Sequence, residues 1–138
     1  LDRLNKAGIR HIDILIFGGA GTGKGIENAI ANAELINASK PMGVSITTMG
    51  AFGESRLADD VAKGKFVPAT EGEVLEEQKK FIELIEVETV YLGIHSINTV
   101  TFDAVLPRDR EKAIKLVDNA IEKFGEEFLS RVPERYSI

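Results

Sequence analysis

Residues 11 to 17, HIDILIF, form a short and nearly unbroken apolar run rich in isoleucine, the pattern of a strand buried on both faces in a parallel sheet. The glycine-rich stretch GGAGTGKG follows over 18 to 25. Ile26, Ala29, Ile30, Ala33 and Ile36 then recur at helical spacing until the chain breaks near ASKP. GVSITTM, residues 43 to 49, is β-branched and short, which predicts a second strand. A polar, glycine-punctuated segment comes next, and within it ESRLADDVAKG predicts one or two helical turns with Leu57 and Val61 inward.

Thr70 and Glu73 stand at the spacing of a capping box, in which each side chain satisfies a free amide at a helix start. Val74, Phe81, Ile82 and Ile85 supply the buried stripe of that helix, which is expected to end near Glu86. TVYLGIH, residues 89 to 95, predicts the third strand. From Asp109 onward, Ala113, Ile114, Val117, Ala120, Ile121 and Phe124 predict a strongly amphipathic helix. At the other end of the chain, LDRLNKAGI reads as the end of a helix closed by Gly8.

Strand and helix thus alternate three times, which predicts an α/β fold of parallel strands with right-handed helical crossovers. A complete eight-stranded barrel takes about 250 residues. The 138 residues here are therefore expected to form one domain, residues 1 to 138, as a partial (β/α) barrel, and the chain is read as a fragment.

Composition narrows the function. A hydrophobic fraction of 43% and a charged fraction of 28% suit a single globular domain. The net charge of -5, with basic residues scattered, argues against nucleic acid and anionic membranes as partners. No apolar run is long enough to span a membrane and no leader precedes the fold, so the expected location is cytoplasmic. With no cysteine, the chain can build no disulfide, thiolate zinc site or cysteine-held iron-sulfur cluster by itself.

The glycine stretch comes close to a phosphate-binding loop. Gly18, Gly23 and Lys24 satisfy that pattern, but Gly25 stands where a Ser or Thr should ligate magnesium, and no acidic residue ends a neighbouring strand. Glycines at a strand end also let a ligand approach the backbone, with amides of the following helix offered to an anion or carboxylate; equally, they serve a simple turn. Thr47 and Thr48 at the end of the second strand, and His95, Ser96 and Asn98 at the end of the third, are expected on the same rim. His95 is suited to acid–base work, to donating a hydrogen bond to a ligand, or to capping its strand. His11 lies at the opposite end of its strand, and no metal site is expected. Glu71, Glu73, Glu76 and Glu77 fall in a first helical turn, where negative charge suits the helix dipole, and a solvated surface is expected for them.

Several short matches in a fixed order, KAGI, DILIFGGAG, AELIN, GKF, EVLEEQKKFIELI, HSIN and VLPRDREKAIKLVDNAI, cover the chain from about residue 6 to residue 124. Together they resemble the C-terminal part of radical S-adenosylmethionine (radical SAM) proteins, in particular the coproporphyrinogen-oxidase-like iron-sulfur oxidoreductases. The resemblance implies that the first two strands here are the fifth and sixth of a barrel and carry part of the S-adenosylmethionine pocket. It places Gly18, Gly19 and Gly21 near the adenosine, Ser45, Thr47 and Thr48 beside the same cofactor, and His95 with Asn98 in a strand-end signature.

Two features depart from that family. The three-cysteine loop that binds its 4Fe-4S cluster is not in this chain, and Asn28 stands where related sequences tend to have a histidine. The resemblance therefore implies a parent enzyme that generates a 5'-deoxyadenosyl radical, with this chain inactive alone and no catalytic residue assigned to it. Its expected partners are the missing N-terminal half of the barrel and, through an exposed strand edge, further copies of itself. Two readings from other classes stand beside it: a small phosphate- or nucleotide-binding α/β module using Gly23 and Lys24, and a non-catalytic interaction domain.

Overall fold

The computed structural model describes residues 2–132 and Arg135. Its elements in chain order are α1 (Asp2–Lys6), β1 (Ile12–Phe17), α2 (Gly25–Ser39), β2 (Gly43–Thr48), α3 (Arg56–Ala62), α4 (Glu71–Leu84), β3 (Thr89–Leu92), β4 (Asp103–Leu106) and α5 (Arg110–Leu129). Gly8 closes α1 with a φ of 67°.

The strands form one open four-stranded sheet in the order β1-β2-β3-β4. β1 with β2 and β2 with β3 run parallel, and β3 with β4 runs antiparallel. The fold is α/β with a mostly parallel sheet. The expectation of parallel strands throughout is corrected by β4, a strand beyond the three expected. Only residues 93–102 separate β3 from β4. A parallel return needs about a dozen residues or more, so the chain reverses and pairs with the strand it has just left.

Helices α2, α4 and α5 cover one face of the sheet, α4 packing against both of the others. The core between the layers takes Leu15, Phe17, Val44, Ile46, Tyr91 and Leu106 from the strands and Ile36, Val74, Phe81, Ile82 and Val117 from the helices. Tyr91 is fully buried, and its hydroxyl accepts a 2.8 Å hydrogen bond from Gln78, so no polar atom of the ring is stranded.

Among the described residues, none of these three helices covers the opposite face. Ile12, Ile14 and Ile16 are 51%, 71% and 52% exposed, and Val90 beside them is 37% exposed. This corrects the expectation that the run over 11 to 17 is buried on both sides: its period-2 alternation sends Leu15 and Phe17 into the core and the three isoleucines outward. α2 departs from its expected stripe for a related reason. Ile26 and Ile30 are exposed, while Gly25, Ala29, Ala33, Ile36 and Ser39 form the buried line, in which every residue but Ile36 is small and lets α2 lie close against α4.

The other helices follow their sequence signals. Both arms of the Thr70–Glu73 capping box are made, and Val74, Phe81, Ile82 and Ile85 are buried. α5 buries Ala113 and Val117, with Ile114, Ile121 and Phe124 packed partly against the core. α3 is capped by Ser55, and Leu57 and Val61 are half-buried. Among the described residues no helix is long and apolar enough to cross a membrane, and no group of three or more His, Cys, Asp or Glu is placed to hold a metal ion.

Candidate functional site

Because β1, β2 and β3 are parallel, their C-terminal ends arrive at one rim, tied there by the Met49 amide donating to the Phe17 carbonyl at 2.8 Å. A cavity of about 260 Å³ opens at this rim. Its apolar wall is built by Ile16, Met49, Phe52 and Leu57, and Thr47, Thr48 and His95 bring the polar groups.

Two of those groups face the cavity with bonding capacity left. His95 Nδ1 accepts from the Ile97 amide at 3.2 Å, so the neutral imidazole carries its proton on Nε2, a donor. Thr47 Oγ1 makes only a long 3.5 Å contact with the Leu15 carbonyl. Thr48, by contrast, is buried, and its hydroxyl donates to Asn98 Oδ1 at 3.0 Å. Asn98 Nδ2 donates to the carbonyls of Ile46 at 2.9 Å and Gly93 at 3.0 Å. Asn98 is thus a bridge beneath the cavity. Ser45 lies earlier along β2, level with Ile14 on β1 and with Leu92, the last residue of β3, and is not among the residues that line the cavity.

The glycine loop faces α4 and lies behind the cavity wall. Gly18, at a φ of 78°, is held by its amide donating to Glu77 Oε2 at 2.8 Å, and a methyl group on it would sit 3.2 Å from Val74 Cγ2. Gly21 packs on Phe66 and Val67, and Gly19 is exposed. The Gly23 amide and the Thr22 hydroxyl both donate to Glu73, at 2.7 and 2.9 Å. The amides of Gly21, Thr22 and Lys24 bond to the carbonyls of Gly18, Val67 and Gly21. Most donors that a phosphate needs are therefore occupied, and two of them hold carboxylates. Gly25 has its own reason for lacking a hydroxyl: a Cβ there would lie 3.2 Å from Glu77 Cβ and 3.3 Å from Glu77 Oε2.

The acidic cluster is where the sequence reading most needs correcting. Glu77 is fully buried and Glu71 is 8% exposed; of the four, only Glu76 is an exposed side chain. Burial pushes the Glu77 carboxyl above its usual range, opposed by hydrogen bonds from Asn28 Nδ2, at 2.6 Å, and from Gly18. Burial also raises Glu73, but the bonds from Thr70, Gly23 and Thr22 together outweigh it and hold that carboxyl below its usual range. Glu71 accepts from Thr99 Oγ1 and from Arg135 Nη2, and Arg135 Nε donates to the Ile97 carbonyl at 2.7 Å.

Asn28, Glu71, Glu77 and Arg135 are the site-shaping residues that pattern reading missed. One signal for Glu77 was present: it falls between Val74 and Phe81 at helical spacing, within the buried stripe rather than on the outer face. The chain matches no family model, no curated protein and no solved structure.

Proposed function

We propose that this chain is the C-terminal half of a radical SAM barrel and provides one flank of an S-adenosylmethionine pocket. The observation that carries the reading is the rim cavity, where apolar walls from Ile16, Met49 and Phe52 meet two polar groups with bonding capacity, Thr47 Oγ1 and His95 Nε2. A small concave site of mostly apolar surface with a few convergent polar groups suits a flat heterocycle such as adenine. Ile16, Met49 and Phe52 would hold the base, and Thr47 and His95 would hydrogen-bond its polar edge or the ribose. Bound S-adenosylmethionine supplies a sulfonium open to reductive cleavage.

The residues present do not fit an iron-sulfur cluster, since the chain has no cysteine to ligate one. The ligands belong, on this reading, to an N-terminal half that pairs with the free edge of β1 and covers Ile12 and Ile14. That uncovered apolar face supports the reading, because isolated globular surfaces seldom leave such a row of isoleucines open. Without its other half, the chain is expected to cover the same face with a second copy of itself. A triphosphate at the glycine loop is the weaker alternative, as Glu73 and Glu77 occupy its amides.

Titration calorimetry on the purified chain tests this reading with S-adenosylmethionine and with magnesium-ATP as separate probes. Heat from the first, weakened about tenfold by Thr47→Val through loss of one hydrogen bond, is expected. Heat from magnesium-ATP alone, or none from S-adenosylmethionine, overturns it.

A further inference from the structure

We propose that Glu77 is the positioning residue of this rim: its carboxylate, clasped between the Gly18 amide and the Asn28 side chain, fixes the turn leaving β1 and thereby the back wall of the cavity. The inference deepens the S-adenosylmethionine reading for its ligand consequence and stands on geometry for its structural one.

Glu77 connects to the cavity through Gly18. Glu77 Oε2 receives the Gly18 amide at 2.8 Å, and Oε1 receives Asn28 Nδ2 at 2.6 Å, so each carboxylate oxygen holds a different segment. Gly18 follows directly on the strand that carries Ile16, a wall residue. A methyl group placed on Gly18 would lie 3.7 Å from Met49 Cβ, so Gly18 backs onto a second wall residue, and Met49 is itself bonded to Phe17 through its amide. Val74, one turn before Glu77 on α4, lies against the same methyl position on Gly18, its Cγ2 at 3.2 Å. Displacing the carboxylate releases the Gly18 turn and, through it, the packing behind Ile16 and Met49.

The requirement is for an acceptor of this shape in this place. A glutamine keeps a carbonyl for the Gly18 amide, and its own NH₂ is met by Asn28 Oδ1 once the Asn28 amide turns over. A leucine keeps the volume and leaves the Gly18 amide buried without a partner.

The test uses the full chain with Glu77→Gln and Glu77→Leu, reading amide hydrogen exchange at Gly18 alongside calorimetry with S-adenosylmethionine. Glu77→Leu should speed Gly18 exchange about tenfold relative to amides in β2, and weaken S-adenosylmethionine by a similar factor, the equivalent of one lost hydrogen bond. Glu77→Gln should leave both within about threefold of the parent chain. If Glu77→Leu does not fold, Gly25→Ala serves, since its methyl presses on Glu77 Cβ and Oε2 and shifts the carboxylate without removing it. Unchanged Gly18 exchange in the leucine or alanine variant, or equal damage from glutamine, overturns the proposal. If the parent chain gives no heat with S-adenosylmethionine, the function reading fails, while the exchange measurement still decides the role of Glu77.

Discussion

The hydroxyl of Thr48 donates to the side-chain oxygen of Asn98 at 3.0 Å, joining the end of β2 to the loop that follows β3. The same asparagine amide reaches the carbonyls of Ile46 and Gly93, so one side chain joins the two strands beyond Ser45 and Leu92, where their pairing stops.

Asn98→Ala removes three hydrogen bonds and leaves the Ile46 carbonyl without that partner. A loss of about 2 kcal/mol in urea unfolding is expected. Asn98→Asp should do no better, because a carboxylate offers both carbonyls a lone pair where they need a proton. Stability of either variant equal to the parent chain would contradict the bridge.

Glu77 also sets a pH dependence. Its carboxyl is held above the ordinary value of 4.5 in the folded chain, so the folded state keeps that proton to higher pH than the unfolded one. Stability from this group is complete below the ordinary value and declines as pH rises through the raised one. Glu73 runs the other way: its lowered carboxyl contributes stability that is present above 4.5 and lost as pH falls through its folded value. Glu77→Gln removes only the first effect. Unfolding of both chains between about pH 4 and pH 8 should show the glutamine variant gaining on the parent as pH rises, then levelling. A difference independent of pH removes the burial argument for Glu77.

Gly25→Ser completes the phosphate-loop pattern in sequence and is expected to fail in structure. The added side chain meets Glu77 and the Glu73 carbonyl at 3.2 to 3.4 Å, for a cost of about 1 kcal/mol. Magnesium-ATP should give no heat with this variant. Gain of ATP binding would show that the two carboxylates do not close the loop.

Ile14 is the most exposed of the three outward isoleucines on β1. Light scattering of the parent chain should report self-association, and Ile14→Lys should yield monomer while changing unfolding stability by no more than about 0.5 kcal/mol. A parent chain that is already monomeric at high concentration removes the uncovered face as a docking surface.

Periodicity and capping chemistry made β1, β2, α4 and α5 legible, because each rests on signals local to its own residues. The Thr70–Glu73 box is the clearest instance, both of its arms being formed. β4 was hidden because Asp103–Leu106 is too short for alternation to stand out, and its pairing is imposed by the short connection before it. The outward isoleucines were misjudged because apolar content tells which residues suit burial, not how many layers exist to bury them. For the rim, Thr47 and Thr48 followed from the end of β2, whereas β3 stops at Leu92 and His95 reaches the cavity from the loop beyond it rather than from the expected strand end. Glu71 and Glu77 did not follow, since their burial depends on Arg135 and Asn28, each distant in the chain and recognisable only once packed.

Three carboxylates on the opening turns of α4 restrain both rim loops, Glu73 and Glu77 the one after β1 and Glu71 the one after β3. Fraying of that single helix end therefore unlatches the two loops in one event. The Thr70 cap that holds this helix end in place contributes nothing to the cavity's lining.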